Sequence, residues 1–271
     1  MDEHTDTPIA TPIATPIALV TGASTGIGRA LAQQFAEHGF DVVVVAEEPE
    51  IHDAAAELGA TGRRVVPVLA DLRTTGGINS TWAAVAAMGG RLEAVALNAG
   101  VGVNGRFDQT PLEDDLSVVD LNVRATVHLA KLASREMVAA GRGRILITSS
   151  IAAVAPGPYH ATYAASKAFV HNFAEGIREE LRDTGVTVTS LMPGPTETEF
   201  FSRSDMEDTR VGQMDKDDAA DVAREGYEGL MAGRSSVVPG SFKNRLQAEL
   251  GTHLPDALAA PLMARLTKPR D

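Results

Sequence analysis

The stretch Ile17-Ala-Leu-Val20-Thr21-Gly22-Ala-Ser-Thr-Gly26-Ile-Gly28 decides the fold of this chain. Its apolar start has the length and composition of a buried strand, and an Ala-rich amphipathic helix is predicted directly after the glycines. Glycines at these spacings allow a tight turn between strand and helix and let the backbone approach a pyrophosphate. The N–H groups and the dipole of the helix N-terminus favour an anion at the same point. The stretch therefore predicts a dinucleotide-binding loop.

Strand-like and helix-like segments alternate along the rest of the chain. Apolar or β-branched runs of strand length lie at Val42–Val45, Arg64–Leu69, Ala94–Leu97, Arg144–Thr148 and Val186–Leu191, with a short seventh candidate at Ser236–Val238. Amphipathic stretches at about 27–38, 49–58, 76–88, 111–140 and 160–183 predict helices between them. Such alternation is typical of βαβ units with right-handed crossovers. We expect one α/β domain over residues 16–240, a doubly wound parallel sheet of about seven strands with helices on both faces.

The two ends of the chain depart from this alternation. Residues 7–18 repeat Thr-Pro-Ile-Ala three times, and a proline at every fourth position prevents a helix, so residues 1–15 are predicted to form a flexible tail. In the C-terminal extension, residues 241–271, leucines recur at every fourth position, which is a helical spacing, but Pro255 interrupts the pattern. The leucines are Leu246, Leu250, Leu254 and Leu258. Two roles stay open for this extension: a lid over the substrate, or a contact with a neighbouring subunit.

Composition excludes several kinds of partner and chemistry. The 271 residues carry a net charge of −12 without a Lys/Arg cluster, which argues against nucleic acid because phosphate backbones bind basic surfaces. The chain has no cysteine, so disulfides, thiolate ligands and cysteine nucleophiles are excluded, and no metal site is predicted. The N-terminus is acidic where a signal peptide would be basic, so we predict no signal peptide. The chain has no apolar run of about 18 residues, so we predict no membrane span. We expect a cytoplasmic protein.

The second predicted strand ends in two carboxylates, Glu47 and Glu48, about twenty residues after the glycine loop. A carboxylate at this point accepts hydrogen bonds from ribose hydroxyls, whereas it would repel a 2′-phosphate. Thr25 leaves the loop itself uncharged. These features favour NAD as the cofactor over NADP. Two alternatives stay open: the glutamates could simply begin a solvated helix, and Arg29 is a nearby cation that could hold a phosphate.

A second group of polar side chains lies in the segment Ser150-Ile-Ala-Ala-Val-Ala-Pro-Gly-Pro-Tyr-His-Ala-Thr-Tyr163-Ala-Ala-Ser-Lys167. Tyr163 and Lys167 are four residues apart, so they share one face of a helix. A nearby ammonium favours the phenolate and would lower the tyrosine pKa from its usual value near 10. The pair could therefore exchange protons near neutral pH. Taken alone, it could equally be an ordinary surface pair.

In combination these features resemble the classical short-chain dehydrogenase/reductase family over about residues 16–240. The resemblance rests on motifs in the family's order and spacing: Thr21-Gly-Ala-Ser-Thr-Gly-Ile-Gly28, Asn98-Ala-Gly100, Asn122, Ser150, Tyr163-Ala-Ala-Ser-Lys167 and Pro193-Gly-Pro-Thr-Glu-Thr198. It implies a Rossmann fold and an oxidoreductase that transfers a hydride between NAD(H) and a secondary alcohol or ketone. The N-terminal repeat and the chain after Gly240 have no counterpart in this pattern.

The resemblance also implies a catalytic set. Tyr163 would be the general acid/base for the substrate oxygen, and Ser150, rather than Ser149, would hydrogen-bond that oxygen. Lys167 would lower the pKa of Tyr163 and bind the nicotinamide ribose. Asn122, in the middle of the helix predicted over 111–140, would hold a water that connects Lys167 with solvent. Two alternatives stay open: Asn122 could be a helix-surface residue, and Ser150 could be a loop cap.

Further positions are implied as cofactor contacts. Asp71 would accept a bond from the adenine amino group, and Thr198 would hydrogen-bond the nicotinamide carboxamide. The helices at 111–140 and 160–183 form the family's usual subunit contact, which implies a homodimer or homotetramer. The complete set implied to contact the dinucleotide is Gly22, Ser24, Thr25, Gly26, Ile27, Gly28, Glu47, Asp71, Leu72, Asn98, Ala99, Gly100, Tyr163, Lys167, Pro193, Gly194, Thr196 and Thr198.

The sequence determines the substrate less closely. The segment from Glu199 to Met214 is predicted to form a mobile cover, and an apolar pocket with one polar corner suits an uncharged small-molecule alcohol or ketone. Packing of this segment on the domain is an equal alternative, and Arg203 or Arg210 could instead hold an anionic group. The apolar side chains predicted to line the pocket are Phe200, Phe201, Met206, Met214, Val101, Ile151, Ala152 and Ala153.

Three classes of function follow. The first is an NAD-dependent alcohol dehydrogenase or carbonyl reductase, and the second is an NADP-dependent carbonyl reductase of the same fold. The third is a dinucleotide-binding sensor or scaffold without turnover. The complete set of Ser150, Tyr163 and Lys167 argues against the third class, because a sensor would not need all three side chains.

Overall fold

The computed structural model describes residues 15–240 and 255–269. The strands of its sheet follow the order β3-β2-β1-β4-β5-β6-β7, and every neighbouring pair is parallel. The fold is a doubly wound Rossmann sheet, as the sequence predicts. The strands are β1 (Pro16–Thr21), β2 (Asp41–Ala46), β3 (Val65–Leu69), β4 (Arg91–Leu97), β5 (Gly143–Thr148), β6 (Val186–Leu191) and β7 (Ser236–Val237).

Helices cover both faces of the sheet. The helical segment predicted over 111–140 is continuous but not regular, because a π-helical turn over Val119–Ala125 joins two α-helices within it. The helices are α1 (Gly26–Glu37), α2 (Ile51–Leu58), α3 (Thr75–Ala87), α4 (Leu112–Val118), α5 (Thr126–Ala139), α6 (Ala161–Glu180), α7 (Phe200–Arg203), α8 (Ala219–Met231) and α9 (Asp256–Thr267).

Alternate residues of each central strand enter two different apolar cores. In β1, Ile17 and Leu19 pack in a core shared with α5 and α6, whereas Ala18 and Val20 pack on the other face against α1 and α8. A parallel sheet covered on both faces needs apolar residues on both sides of its strands. This requirement explains why the strands appear in the sequence as continuous apolar runs.

Helix α8 is an element that the sequence patterns did not predict. Its N-terminus is capped by Asp218, whose carboxylate accepts hydrogen bonds from the N–H groups of Ala220 and Asp221 at 2.7 and 3.1 Å. Two glycines lower its intrinsic helix propensity. At Gly229 a Cβ would overlap Val237, and at Gly226 it would lie 3.1 Å from Leu191. The glycines therefore permit the close packing of α8 on the sheet.

The sheet presents a crevice where its connections change direction. Strands β1 and β4 are neighbours, and the chain leaves them toward opposite edges of the sheet, which is where open α/β sheets bind ligands. Within the described ranges no helix is long and apolar enough to cross a membrane, and the cytoplasmic location stays a prediction. Residues 1–14 of the predicted tail and the leucines at 246, 250 and 254 lie outside the described residues.

Candidate active site

One cavity at the carboxyl edge of the sheet brings together nearly all the residues predicted from the sequence. Gly28 and Asn122 do not line it. The predicted residues that do are Gly22, Ser24, Thr25, Gly26, Ile27, Glu47, Asp71, Leu72, Asn98, Ala99, Gly100, Ser150, Tyr163, Lys167, Pro193, Gly194, Thr196 and Thr198. Gly22 and Tyr163, which are 141 residues apart in the sequence, thus line one site.

The glycine loop is shaped by contacts that leave no room for side chains. Gly22 has a φ of +66°, and a Cβ there would lie 2.9 Å from the Cα of Ala99. At Gly28 a Cβ would overlap the carbonyl oxygen of Gly22. This glycine therefore allows α1 to pack closely against the loop, although it does not line the cavity. Thr25, the residue before α1, makes no side-chain cap. An uncapped helix N-terminus on a glycine cradle fits the pyrophosphate of a dinucleotide.

Side chains at the ends of neighbouring strands fix the loop. The hydroxyl oxygen of Thr21 accepts hydrogen bonds from the N–H groups of Asn98 and Ala99, both at 3.0 Å. The amide of Asn98 donates to the carbonyl of Gly22 at 3.4 Å and accepts from Thr148 at 3.1 Å. Asn98 therefore joins the ends of β1, β4 and β5, a role that the sequence did not indicate.

The acidic end of the cavity contains an arginine that the sequence analysis missed. Arg73 forms ion pairs with Glu47 and, at 2.8 Å, with Asp71. Burial raises the pKa of the Asp71 carboxyl, but hydrogen bonds from Arg73 outweigh this effect and hold it below its usual value. Arg29, the cation considered from the sequence, pairs instead with Glu57 on α2. The cation nearest to Glu47 is thus supplied by the chain after β3.

The predicted catalytic side chains lie beside one another on α6 and the end of β5. Lys167 is 5% exposed, and its Nζ donates to the carbonyl of Thr148 at 2.9 Å. Nζ lies 5.7 Å from the centre of the Tyr163 ring. Ser150 faces the tyrosine and hydrogen-bonds it, whereas the hydroxyl of Ser149 donates to the backbone carbonyl of Lys167 at 2.8 Å. The two serines therefore have different partners.

The pKa of Tyr163 differs from the prediction. Burial raises it to about 12, although the hydrogen bond with Ser150 lowers it in part. Burial also lowers the pKa of Lys167 to about 8. A cation that is itself destabilised by burial does not outweigh the desolvation of the phenol. The lowering expected from Lys167 is thus not observed, and Tyr163 keeps its proton at neutral pH.

Asn122 lies in the π-helical turn and is 2% exposed, so the helix-surface alternative is wrong. Its side-chain oxygen accepts from the N–H of Val101, and its amide donates to the carbonyl of Val101, both at 2.9 Å. The same amide donates to the hydroxyl of Ser166 at 2.9 Å. The side chain thus clamps the loop after β4 to the helix that carries Tyr163 and Lys167.

The segment after β6 closes over the glycine loop. A Cβ at Gly26 would lie 2.7 Å from Cγ2 of Thr198, so the two segments touch. Farther along, Arg203 on α7 forms ion pairs with Glu48 and Glu199. Ser24 donates a hydrogen bond to Glu48 at 3.1 Å. The cover is therefore fastened to the acidic end of the cavity.

The substrate end of the cavity is only partly as predicted. Of the expected lining residues, Phe200, Phe201, Met206, Met214, Val101, Ile151 and Ala152 line it, whereas Ala153 and Arg210 do not, and Arg203 faces carboxylates. The residues that the sequence analysis missed here are His160, Ser204, Val211, Met263, Leu266 and Thr267. Three of these belong to α9, so the described part of the C-terminal extension forms a wall of the cavity.

Fold and cavity together define a Rossmann-type α/β protein with an extended cavity at the carboxyl edge of its sheet. A family model described as short chain dehydrogenase matches residues 16–208. The chain therefore belongs to the short-chain dehydrogenase family. Within the described residues, no group of three or more His, Cys, Asp or Glu side chains could hold a metal ion.

Similar proteins agree with this family. "Probable oxidoreductase EphD" of Mycobacterium tuberculosis is 33% identical over 201 residues, which are 70% of this chain but 34% of that protein. The chain thus spans about a third of its length. "Oxidoreductase UcpA" of Salmonella typhimurium is 31% identical over 200 residues, 73% of this chain and 74% of that protein.

Solved structures have the same architecture. A short-chain dehydrogenase from Sphingobium yanoikuyae in complex with NADPH superposes with a TM-score of 0.77 at 27% identity, covering 94% of this chain and 98% of that one. A bulky-bulky ketone specific alcohol dehydrogenase from Comamonas testosteroni gives a TM-score of 0.75 at 25% identity, covering 94% and 96%.

Proposed function

We propose that the chain transfers a hydride between NAD(H) and a secondary alcohol or ketone, with Tyr163 as general acid/base. The observation that carries the proposal is the cavity that Ser150, Tyr163 and Lys167 share with the glycine loop. When bound, the dinucleotide would supply or accept the hydride. The chain itself supplies position and a proton.

The protonation of the site supports a role for Tyr163 as an acid during ketone reduction. Because burial raises the pKa of Tyr163 to about 12, the phenol holds a proton that it can donate to the substrate oxygen. Ser150, hydrogen-bonded to the phenol, would bond the same oxygen and orient it. Lys167 lies near enough to stabilise the phenolate that remains.

The acidic end of the cavity supports NAD as the cofactor. Glu47 lies at the end of β2 on the cavity wall, where it would accept hydrogen bonds from ribose hydroxyls. Its carboxylate would repel a 2′-phosphate. Arg73 favours the second candidate, NADP, because its guanidinium pairs with Glu47 and would attract a phosphate if the glutamate turned away. The NADPH bound to the Sphingobium relative is consistent with this alternative.

Apolar side chains on the outside of two helices support a homodimer or homotetramer. Leu112 is 64% exposed and Leu116 is 52% exposed on α4, and Phe169 is 46% exposed on α6. The Phe169 ring stacks on Phe173 at 6.1 Å. These helices are the ones for which the sequence resemblance implies a subunit contact. Light scattering at micromolar concentration would detect a monomer if this proposal is wrong.

Oxidation and reduction of a panel of secondary alcohols and ketones, followed at 340 nm with both cofactors, test the proposed activity. Tyr163→Phe removes the proton donor but keeps the ring, so we expect kcat to fall about 10²–10⁴-fold with little change in dinucleotide affinity. Tyr159→Phe is the matched control, because Tyr159 lies four residues earlier and does not line the cavity.

Near-normal turnover by Tyr163→Phe would refute the mechanism. Tighter binding of NADPH than of NADH, measured by the fluorescence of the reduced nicotinamide, would favour the second candidate over the first. Both readouts use the same purified chain.

A further inference from the structure

Two buried polar side chains at the substrate end of the cavity have no hydrogen-bond partner in the described part of the chain. His160 is 5% exposed, and neither of its ring nitrogens is bonded. Ser204 is 2% exposed, and its hydroxyl is also unbonded. Both residues line the cavity. Because buried polar groups in native proteins are almost always hydrogen-bonded, these two indicate a partner that comes from outside the chain.

The imidazole of His160 lies beside the predicted catalytic tyrosine. The two rings meet edge to face, with centroids 6.0 Å apart and planes at 82°. On its other side the imidazole packs against Gly157, where a Cβ would overlap it. The His160 ring therefore borders the same part of the cavity as the Tyr163 ring.

The turn that carries His160 is held by hydrogen bonds from two other segments. Tyr159 has a φ of +65°, a conformation that non-glycine residues seldom adopt. Its carbonyl accepts from the N–H of Gly105 at 2.7 Å, in the loop after β4. The carbonyl of Pro158 accepts from the hydroxyl of Thr267 at 2.6 Å, at the end of α9. A strained turn that other segments hold in place is typical of functional positions.

The charge state of His160 limits what it could bind. Burial lowers its pKa to about 4, so at neutral pH one ring nitrogen donates and the other accepts. The cavity-lining arginine, Arg203, is paired with Glu48 and Glu199, and Lys167 donates to Thr148. This corner therefore suits an uncharged oxygen better than a carboxylate.

Ser204 offers a second unbonded group on the cover of the same pocket. Its hydroxyl and the ring of Phe200 both lie 2.8 Å from the position of a Cβ on Gly102. The Phe200 ring in turn lies 5.1 Å from that of Tyr163. His160 thus lies beside the Tyr163 ring, and Ser204 lies beside the Phe200 ring. A substrate in this part of the cavity could place one polar atom near each of them.

We propose that His160 is a substrate-binding residue that recognises a second, uncharged oxygen near the carbon undergoing oxidation or reduction. The inference rests on the proposed function and narrows its substrate class to hydroxyketones, diketones and the corresponding diols. Ser204 bonds the same class of substrate from the cover. A ketone with a single oxygen leaves His160 without a partner and is the poorer substrate.

Matched substrate pairs test this subsite. We expect kcat/KM for 2-hydroxycyclohexanone to exceed that for cyclohexanone roughly tenfold, the contribution of one neutral hydrogen bond. The same preference is expected for 3-hydroxybutan-2-one over butan-2-one. His160→Phe keeps an aromatic ring but removes both nitrogens, so only the part of the preference that Ser204 supplies should remain. His160→Asn retains a donor and an acceptor and should restore part of it.

Equal kcat/KM within each pair, or an equal loss for both members in His160→Phe, would overturn the subsite while leaving the proposed function intact. Turnover of none of the four ketones would instead contradict the proposed function on these substrates.

A binding experiment tests the subsite independently of turnover. In ¹⁵N-histidine-labelled Tyr163→Phe protein with NADH, the His160 signals, assigned by their loss in His160→Phe, should shift with cyclohexane-1,2-diol and not with cyclohexanol. No shift with the diol would refute the proposal.

Discussion

The two ends of the cavity are assembled in different ways. The dinucleotide end comes from short motifs at the carboxyl ends of adjacent strands, β1 to β4, and from the first turn of α1. The substrate end comes from segments far apart in the chain: the loop after β4, the turn before α6, the cover after β6, and α9. Local motifs therefore form the proposed dinucleotide end, whereas the packing of distant segments forms the proposed substrate end.

The polar atoms of the two ends also differ in their hydrogen bonding. At the dinucleotide end, Thr21, Asn98 and Asp71 are bonded within the protein. At the substrate end, His160 and Ser204 have buried polar atoms without a partner in the described ranges, and so does the nearby Asn104. The polar groups of the proposed dinucleotide end are therefore already bonded, whereas those of the proposed substrate end lack partners in the described residues.

Gly28→Ala should have the largest effect and should act on the dinucleotide end. The added Cβ would overlap the carbonyl of Gly22, so the loop or α1 must move. We expect a loss of about 3 kcal/mol in the free energy of unfolding and a loss of measurable NADH binding. Urea unfolding and a fluorescence titration measure the two effects.

Gly59→Ala is the matched control for this variant. Gly59 has a φ of −61° and nothing within 4 Å of its Cβ position, so alanine should be neutral or stabilise by about 0.5 kcal/mol. NADH affinity in Gly28→Ala equal to that of the wild type would contradict the contact geometry of the loop.

Acid should lower the free energy of unfolding because His160, at the substrate end, is buried as a neutral base. The pKa of His160 is about 4 in the folded chain against about 6.5 when unfolded. As the pH falls below 6.5, the unfolded chain binds a proton that the folded chain does not bind until about pH 4. Stability is therefore lost progressively between these values, by about 3 kcal/mol in total.

His160→Phe should flatten this part of the stability profile, measured by urea unfolding from pH 7 to pH 4.5. His52→Gln replaces an exposed histidine on α2 and serves as the control. An unchanged pH slope in His160→Phe would show that His160 is not a buried neutral base.

Glu47→Ala should have a smaller effect, confined to the choice of cofactor. Removing the carboxylate takes away an acceptor for ribose hydroxyls and leaves Arg73 with Asp71 as its ion-pair partner. We expect NADH to bind about tenfold more weakly, since a hydrogen bond to a charged group contributes about 1.5 kcal/mol or more, and NADPH to bind more tightly. Glu179→Ala, which breaks the exposed pair with Arg182 and does not alter the cavity lining, should change neither affinity. If Glu47→Ala kept the wild-type preference between NADH and NADPH, Glu47 would not determine that preference.

The sequence was sufficient for features that depend on local order. The strands, the glycine loop and the segment with Ser150, Tyr163 and Lys167 each lie in one continuous stretch, and the structure brings them to one sheet edge. The pairing of Arg73 with Glu47 was missed because it depends on which strands are neighbours. The spacing of Tyr163 and Lys167 predicted their proximity but not the desolvation that raises the tyrosine pKa.

The substrate end could not be predicted to the same extent. His160 belongs to the quoted catalytic segment, and yet its significance is visible only when its missing hydrogen-bond partners and its packing on Gly157 are known. Helix α9 contributes Met263 and Leu266 to the cavity through backbone and side-chain bonds to Val211 and Pro158. Nothing in the local pattern of these segments specifies that they meet.

Arg203→Gln should have the smallest effect and should act on the link between the two ends. Arg203 joins the cover to Glu48, 155 residues away, and its side chain is 43% exposed. An exposed ion pair contributes about 0–1 kcal/mol, so we expect a two- to fivefold rise in KM for the substrate and little change in unfolding. Arg182→Gln removes an exposed pair with Glu179 at the C-terminal end of α6 and should leave KM unchanged. If Arg203→Gln weakened only NADH binding and left KM for the substrate unchanged, the ion pair would affect the dinucleotide end alone. The two ends of the cavity would then not be coupled through Arg203.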